Sequence, residues 1–91
     1  MRLKWSSAAQ RDLVRLAEFL KPVNPRAASR VVGMLIATAK QLPDFPQLAP
    51  RVDAHEWREI RSLIVGDYNM HYEVTRETIF IVRVWHTRED R

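Results

Sequence analysis

Residues 57–86 read WREIRSLIVGDYNMHYEVTRETIFIVRVWH, and the alternation of their apolar positions decides the fold class. Tyr68, Met70, Tyr72 and Val74 alternate with Asn69, His71 and Glu73. That period of two is the mark of a strand with one buried face. Before it, Trp57 to Val65 reads as a strand ending at a Gly66-Asp67 turn. After it, Arg76-Glu77 makes the next turn, and Thr78 to His86 carries apolar residues on both faces, as a central strand does. Consecutive strands joined by tight turns predict an antiparallel meander.

Toward the N-terminus the period changes. Pro43, Pro46 and Pro50 mark an irregular connection. Ahead of it, Ala27, Val31, Met34, Leu35, Ala39 and Leu42 form a helical stripe. Asn24-Pro25 opens that helix, with Asn as N-cap and Pro in the first turn. Gly33, inside it, is expected to allow close approach of the preceding helix. Ala9, Leu13, Leu16, Ala17 and Leu20 form an earlier helical stripe, closed by Pro22. Ser7-x-x-Gln10 resembles a capping box at its start. Arg2 to Trp5 reads as a short strand. The expectation is α+β with order β-α-α-β-β-β: a small antiparallel sheet packed against an N-terminal helical hairpin, in a single domain spanning 1–91.

Composition bounds the function. The chain has 91 residues, 46% hydrophobic and 29% charged, an ordinary globular balance for one small core. There is no cysteine, and the three histidines (His55, His71 and His86) are dispersed, so neither a disulfide, a metal site nor a cofactor is expected. No signal-like or membrane-length apolar run occurs, so a cytoplasmic protein without membrane contact is expected. The net charge is +4. Residues 1–50 hold eight Lys/Arg against three Asp/Glu, while residues 51–91 hold seven against eight. A basic N-terminal half suits nucleic acid or an acidic protein partner, or is simply a solvated surface.

Several features together resemble the RelE/ParE toxins of type II toxin–antitoxin systems, over nearly the whole chain. They are Trp5, the Ala8-Ala9-x-x-Asp12-Leu13 start of the first helix, and Pro25-x-Ala27-Ala28 opening the second. Leu42, Pro46 and Arg61 follow, then Gly66-x-Tyr68-x-x-x-Tyr72 and the closing Ile81-Val82-Arg83-Val84-Trp85-His86-Thr87-Arg88. The resemblance implies a small sheet with a helical hairpin. It also implies an acidic antitoxin partner in a hetero-oligomer, which binds operator DNA only as the toxin–antitoxin complex. RelE-like members are enzymes that cut messenger RNA at the ribosome; ParE-like members poison DNA gyrase without catalysis.

Cleavage of RNA through its 2′-hydroxyl needs a base, a cation on the phosphate and an acid for the leaving oxygen. RelE-like nucleases often carry Arg after the third-strand tyrosine and a Tyr in the tail; here those places hold Asn69 and Thr87. The candidates left, if the chain is a ribonuclease, are Arg61, Arg83, His86 and Arg88. His86 would be acid or base, and the arginines would fork onto phosphate. Each has a structural reading beside the functional one. Arg61 pairs with Glu59 or Glu73, Arg83 requires a buried carboxylate, and His86 closes a strand beside Trp85. The ending Trp85-His86-Thr87-Arg88-Glu89-Asp90 is similar to ParE tails. A ParE-like gyrase poison is therefore favoured over a RelE-like endoribonuclease.

Tyr68 and Tyr72 share one strand face, where a core role is expected. Trp5, Trp57 and Trp85 read as packing residues. Arg11, Arg15, Arg26 and Arg30 repeat four apart on the two helices, where they would steer an acidic antitoxin onto the hairpin or the sheet edge. A free-standing nucleic-acid-binding domain is the third reading, and no DNA- or RNA-reading motif favours it.

Overall fold

The computed structural model describes residues 1–52 and 56–89. His55, which carries no assigned role, and Asp90 of the tail lie outside the described residues. The elements are β1 (Arg2–Trp5), α1 (Ser7–Leu20), α2 (Pro25–Gln41), β2 (Glu59–Val65), β3 (Tyr68–Val74) and β4 (Thr78–His86). Class and order are those read from the sequence.

The strands lie in the order β1-β4-β3-β2. The meander β2-β3-β4 is antiparallel, as its tight turns require. Gly66 adopts φ 59° in the first of these turns, a conformation that favours glycine. One feature departs from the expected antiparallel sheet. β1 runs parallel to β4, with Leu3 opposite Ile79 and Trp5 opposite Ile81, so the sheet is mixed. The helical hairpin between β1 and the meander is long enough to make this crossover.

The register explains the burial. On β3, Tyr68, Met70 and Tyr72 point toward the helices and are buried. On β4 the buried positions are Ile79, Ile81 and then Val84. Period two breaks there because β3 residues His71 and Tyr72 face Arg83 and Ile81, leaving Val82 as an extra residue. This is a β-bulge. Leu16 of α1 and Leu35, Ala39 and Leu42 of α2 complete the core. Each large buried side chain contributes about 1.5–3 kcal/mol of transfer free energy.

The helices start where polar caps allow. Asn24 Oδ1 accepts the Ala27 amide at 3.1 Å. At α1 the N-cap is Ser6, whose Oγ accepts the Ala9 amide at 3.0 Å; the expected Ser7 box does not form. Gln10 instead reaches back to donate from Nε2 to the Trp5 carbonyl. Gly33 is not a close-approach site, since a Cβ there would meet nothing within 4 Å. Trp57 precedes β2 and is 82% exposed, so it is not a packing residue.

Candidate functional site

α1 follows β1 directly and runs along β4 where β1 has ended. There it supplies side chains in place of a neighbouring strand. Ser6 Oγ donates to the Val82 carbonyl at 2.8 Å. Asp12 Oδ2 accepts the Val84 amide at 2.9 Å. Arg15 Nη2 reaches the Val84 carbonyl at 3.5 Å. Glu89 Oε1 takes the next amide, that of His86, at 3.3 Å. The backbone of Val82–His86 is thus satisfied without a fifth strand, as buried polar groups require.

Asp12 is the centre of this arrangement. Its residue is 3% exposed, yet it keeps its charge because cations surround it. Arg83 binds it as a fork, with Nε to Oδ2 at 2.8 Å and Nη2 to Oδ1 at 3.1 Å. Arg15 adds a longer contact at 3.4 Å and pairs with Glu89 at 2.7 Å. Burial pushes the Asp12 carboxyl upward, but the Arg83 hydrogen bonds, the Val84 amide, the Arg83 charge and Arg15 outweigh it. The net result holds Asp12 below the usual carboxylate range. The hydrogen bond that Arg15 donates to Glu89 raises Arg15 in turn, and those that Arg83 donates to Asp12 raise Arg83. The buried carboxylate that Arg83 demanded in the sequence is therefore Asp12.

His86 ends β4 with its ring edge-on to Tyr68, centroids 5.1 Å apart and planes at 87°. Its Nδ1 accepts the Arg88 amide at 3.0 Å, which folds the tail back on the strand. In the neutral ring the proton is then on Nε2. Burial first, then the charges of Asp67 and Glu89, raise the Tyr68 phenol, which stays neutral at physiological pH. Tyr68 and His86, with Leu16, Phe19 and Leu20 of α1, wall a groove of about 560 Å³. Arg15, Arg88 and Glu89 supply its charges.

Arg61 stands apart from this group. It faces Tyr72 in the register, whereas His86 faces Tyr68. Four residues of strand, roughly 13 Å, separate the two places. Arg61 Nε donates to Glu59 at 2.8 Å and Nη1 to the Ala49 carbonyl at 2.7 Å. Beside it the Tyr72 hydroxyl donates to the Pro46 carbonyl at 2.9 Å and accepts the Ala49 amide at 3.2 Å. Together they fasten the proline-rich connection to the sheet. Glu73 pairs with Arg58 rather than with Arg61.

Arg83, His86 and Arg88 are therefore gathered at one end of β4, and Arg61 is not. Arg83 is neutralised by Asp12 and Arg61 by Glu59. Among the described residues no carboxylate pairs with the Arg88 guanidinium. Of the four helix arginines, Arg11, Arg26 and Arg30 are exposed on α1 and the first turns of α2. Arg15, also largely exposed, is held by Asp12 and Glu89. Sequence reading assigned no role to Asp12. The signal was there: Asp12 falls three residues after Ala9 and four before Leu16, on the apolar face of its helix.

Residues 3–91 match the family model described as the ParE toxin of the type II toxin–antitoxin system parDE. Two curated relatives come from Caulobacter vibrioides. Toxin RelE1 is 33% identical over 88 residues, covering 94% of this chain and 92% of the relative. Toxin RelE3 is 29% identical over 83 residues, covering 91% and 90%. Among solved structures, a chain of the chromosomal ParDE system from P. aeruginosa superposes with a TM-score of 0.80 at 23% identity, covering 94% of this chain and 95% of that one. A chain of the RelBE2 toxin–antitoxin complex from Mycobacterium tuberculosis gives 0.63 at 24% identity, with coverage of 93% and 88%.

Proposed function

Since the chain belongs to the ParE toxin family of type II toxin–antitoxin systems, we propose that it arrests growth by binding and poisoning DNA gyrase, without catalysis of its own. One observation carries this reading. Three of the four candidate catalytic residues are engaged within the fold: Arg61 by Glu59 and Ala49, Arg83 by Asp12, and His86 by the Arg88 amide and the Tyr68 ring. Arg88 is the one candidate cation whose guanidinium no described carboxylate pairs, but a ribonuclease also needs two groups placed to move protons, and His86 commits Nδ1 to the Arg88 amide. Asn69 and Thr87, in place of the Arg and Tyr of RelE-like nucleases, point the same way.

The cognate partner is an acidic antitoxin, received by charge steering onto the basic helical hairpin with Arg11, Arg15, Arg26 and Arg30. Solved structures of similar fold come from the ParDE system and the RelBE2 complex. Operator DNA would be met only through the complex, and gyrase in the cytoplasm. The test combines purified toxin, gyrase and supercoiled DNA. Accumulation of gyrase-linked cleaved DNA is expected, and its antitoxin-dependent loss.

The second reading is a RelE-like ribosome-dependent endoribonuclease using His86 with Arg83 and Arg88, and Arg61 in support. It is favoured by the names of the Caulobacter relatives. His86→Ala separates the two. A nuclease loses at least about a hundredfold in cleavage when its acid or base is removed. A gyrase poison keeps most of its effect on cell growth, and that retention is the expected outcome.

A further inference from the structure

β1 stops at Trp5, opposite Ile81, so beyond that point the edge of β4 faces α1 alone. Asp12, Arg15, Leu16, Phe19 and Leu20 lie three or four residues apart and share one face of α1. The first turns of that face are filled. Asp12 is buried against Arg83, and Leu16 belongs to the core. The last turn is not. Leu20 is half-buried and Phe19 is 77% exposed. Across the groove of about 560 Å³ stand Tyr68 at the start of β3, His86 at the end of β4, and the tail residues Arg88 and Glu89. The tail is pinned there: the Thr87 amide donates to the Asp67 carbonyl at 2.8 Å, the Glu89 amide to the His86 carbonyl at 2.9 Å, and the Arg88 amide to His86 Nδ1 at 3.0 Å. Arg88 is therefore held at the rim before anything binds, which lowers the entropic cost of using it.

The rim fixes the charge of what can enter. Arg15 is paired with Asp12 and Glu89. The Arg88 guanidinium is exposed and, among the described residues, has no carboxylate partner. One such cation beside an apolar wall fits one carboxylate next to an apolar side chain. A nucleic-acid strand fits poorly. Its phosphates would meet Glu89 as well as Arg88, and Leu16 and Leu20 offer no surface on which bases stack. A second copy docked through the same groove would set Arg88 against Arg88. We propose that this groove is where the toxin grips gyrase: a large apolar side chain of a gyrase segment packs against Leu16, Phe19 and Leu20, and Arg88 binds a carboxylate beside it. This rests on the gyrase reading above and names the residues that make the contact. Arg88, the candidate cation that the fold leaves over, becomes a binding residue, and the exposed Phe19 becomes the aromatic anchor typical of a protein interface.

The test measures binding of the full toxin chain to the gyrase holoenzyme at two ionic strengths. Phe19→Asp places a charge in the apolar wall at an exposed position, and Arg88→Glu reverses the charge of the rim. Each raises Kd at least about tenfold, the scale of an interface anchor, and leaves the thermal midpoint close to wild type. The effect of Arg88→Glu shrinks at high salt, and Arg88→Lys restores most of the affinity. Lys40→Glu, an equal charge reversal in the last turn of α2 and outside the groove, leaves Kd unchanged. Wild-type Kd in Phe19→Asp or in Arg88→Glu overturns the groove assignment while the gyrase reading stands. Loss of antitoxin affinity or of self-association in these variants, with gyrase affinity intact, overturns it too, since the groove then belongs to that occupant. Absence of any binding between gyrase and the wild-type toxin removes the gyrase reading itself, and the groove assignment with it.

Discussion

Asp12 shows how one residue fixes the end of the site. Its carboxylate joins α1 to Arg83 and to the Val84 amide. Asp12→Ala leaves that amide without a partner and Arg83 without its carboxylate, and takes from Arg15 the longer of its two pairs, that with Glu89 remaining. The arginine side chains are 37% and 43% exposed, so water recovers part of the loss. The expected destabilisation is about 2–3 kcal/mol by denaturant titration. The acid limb of stability follows from the same group. Its folded carboxyl is held below its unfolded value. Its contribution is therefore complete above the unfolded carboxylate range and disappears as pH falls through the depressed folded value. In an acid titration of the thermal midpoint, Asp12→Asn should flatten this limb. A limb unchanged from wild type would show that other carboxylates govern it. The pairing was half legible in the sequence. Arg83 in a central strand announced a buried carboxylate, but no spacing rule identifies a partner 71 residues away. The cap was read one residue late: Ser7 was expected, and the extended backbone of Ser6 makes that residue the N-cap.

At the scale of elements, the meander and both helices were legible because each carries its own period, cap or turn. The direction of β1 was not. Four residues contain no information on pairing direction, which is set by the crossover through the helical hairpin. Trp57 misled for a related reason: an aromatic in a strand-like run reads as packing, yet β2 begins two residues later, at Glu59. The 43–50 connection was read only as irregular. Its order comes from Tyr72, a core residue whose hydroxyl holds Pro46 and Ala49. Burial raises that phenol, which keeps its proton and can donate. Tyr72→Phe preserves the ring and removes both bonds. A loss of about 1–2 kcal/mol is expected, with faster amide exchange at Ala49 and little change in the helices. Equal exchange in the two proteins would mean that Arg61 alone holds the connection.

Across the whole molecule, charge and chemistry are separated. The basic excess belongs to residues 1–50, which form β1 and the helical hairpin. The His86 end of β4 instead pairs Arg83 with Asp12 and Arg15 with Glu89. Reversing Arg26 and Arg30 to Glu should slow antitoxin association by about tenfold or more at low salt, and less at high salt. Surface plasmon resonance at two ionic strengths reads this directly; an association rate independent of both changes would rule out steering by α2. Pulse labelling after induction without antitoxin reads whether this toxin acts by binding gyrase. DNA synthesis is expected to stop first, with filamentous cells and gyrase trapped on cleaved DNA. Protein synthesis stopping first, with messenger RNA cut at ribosomes, would contradict it.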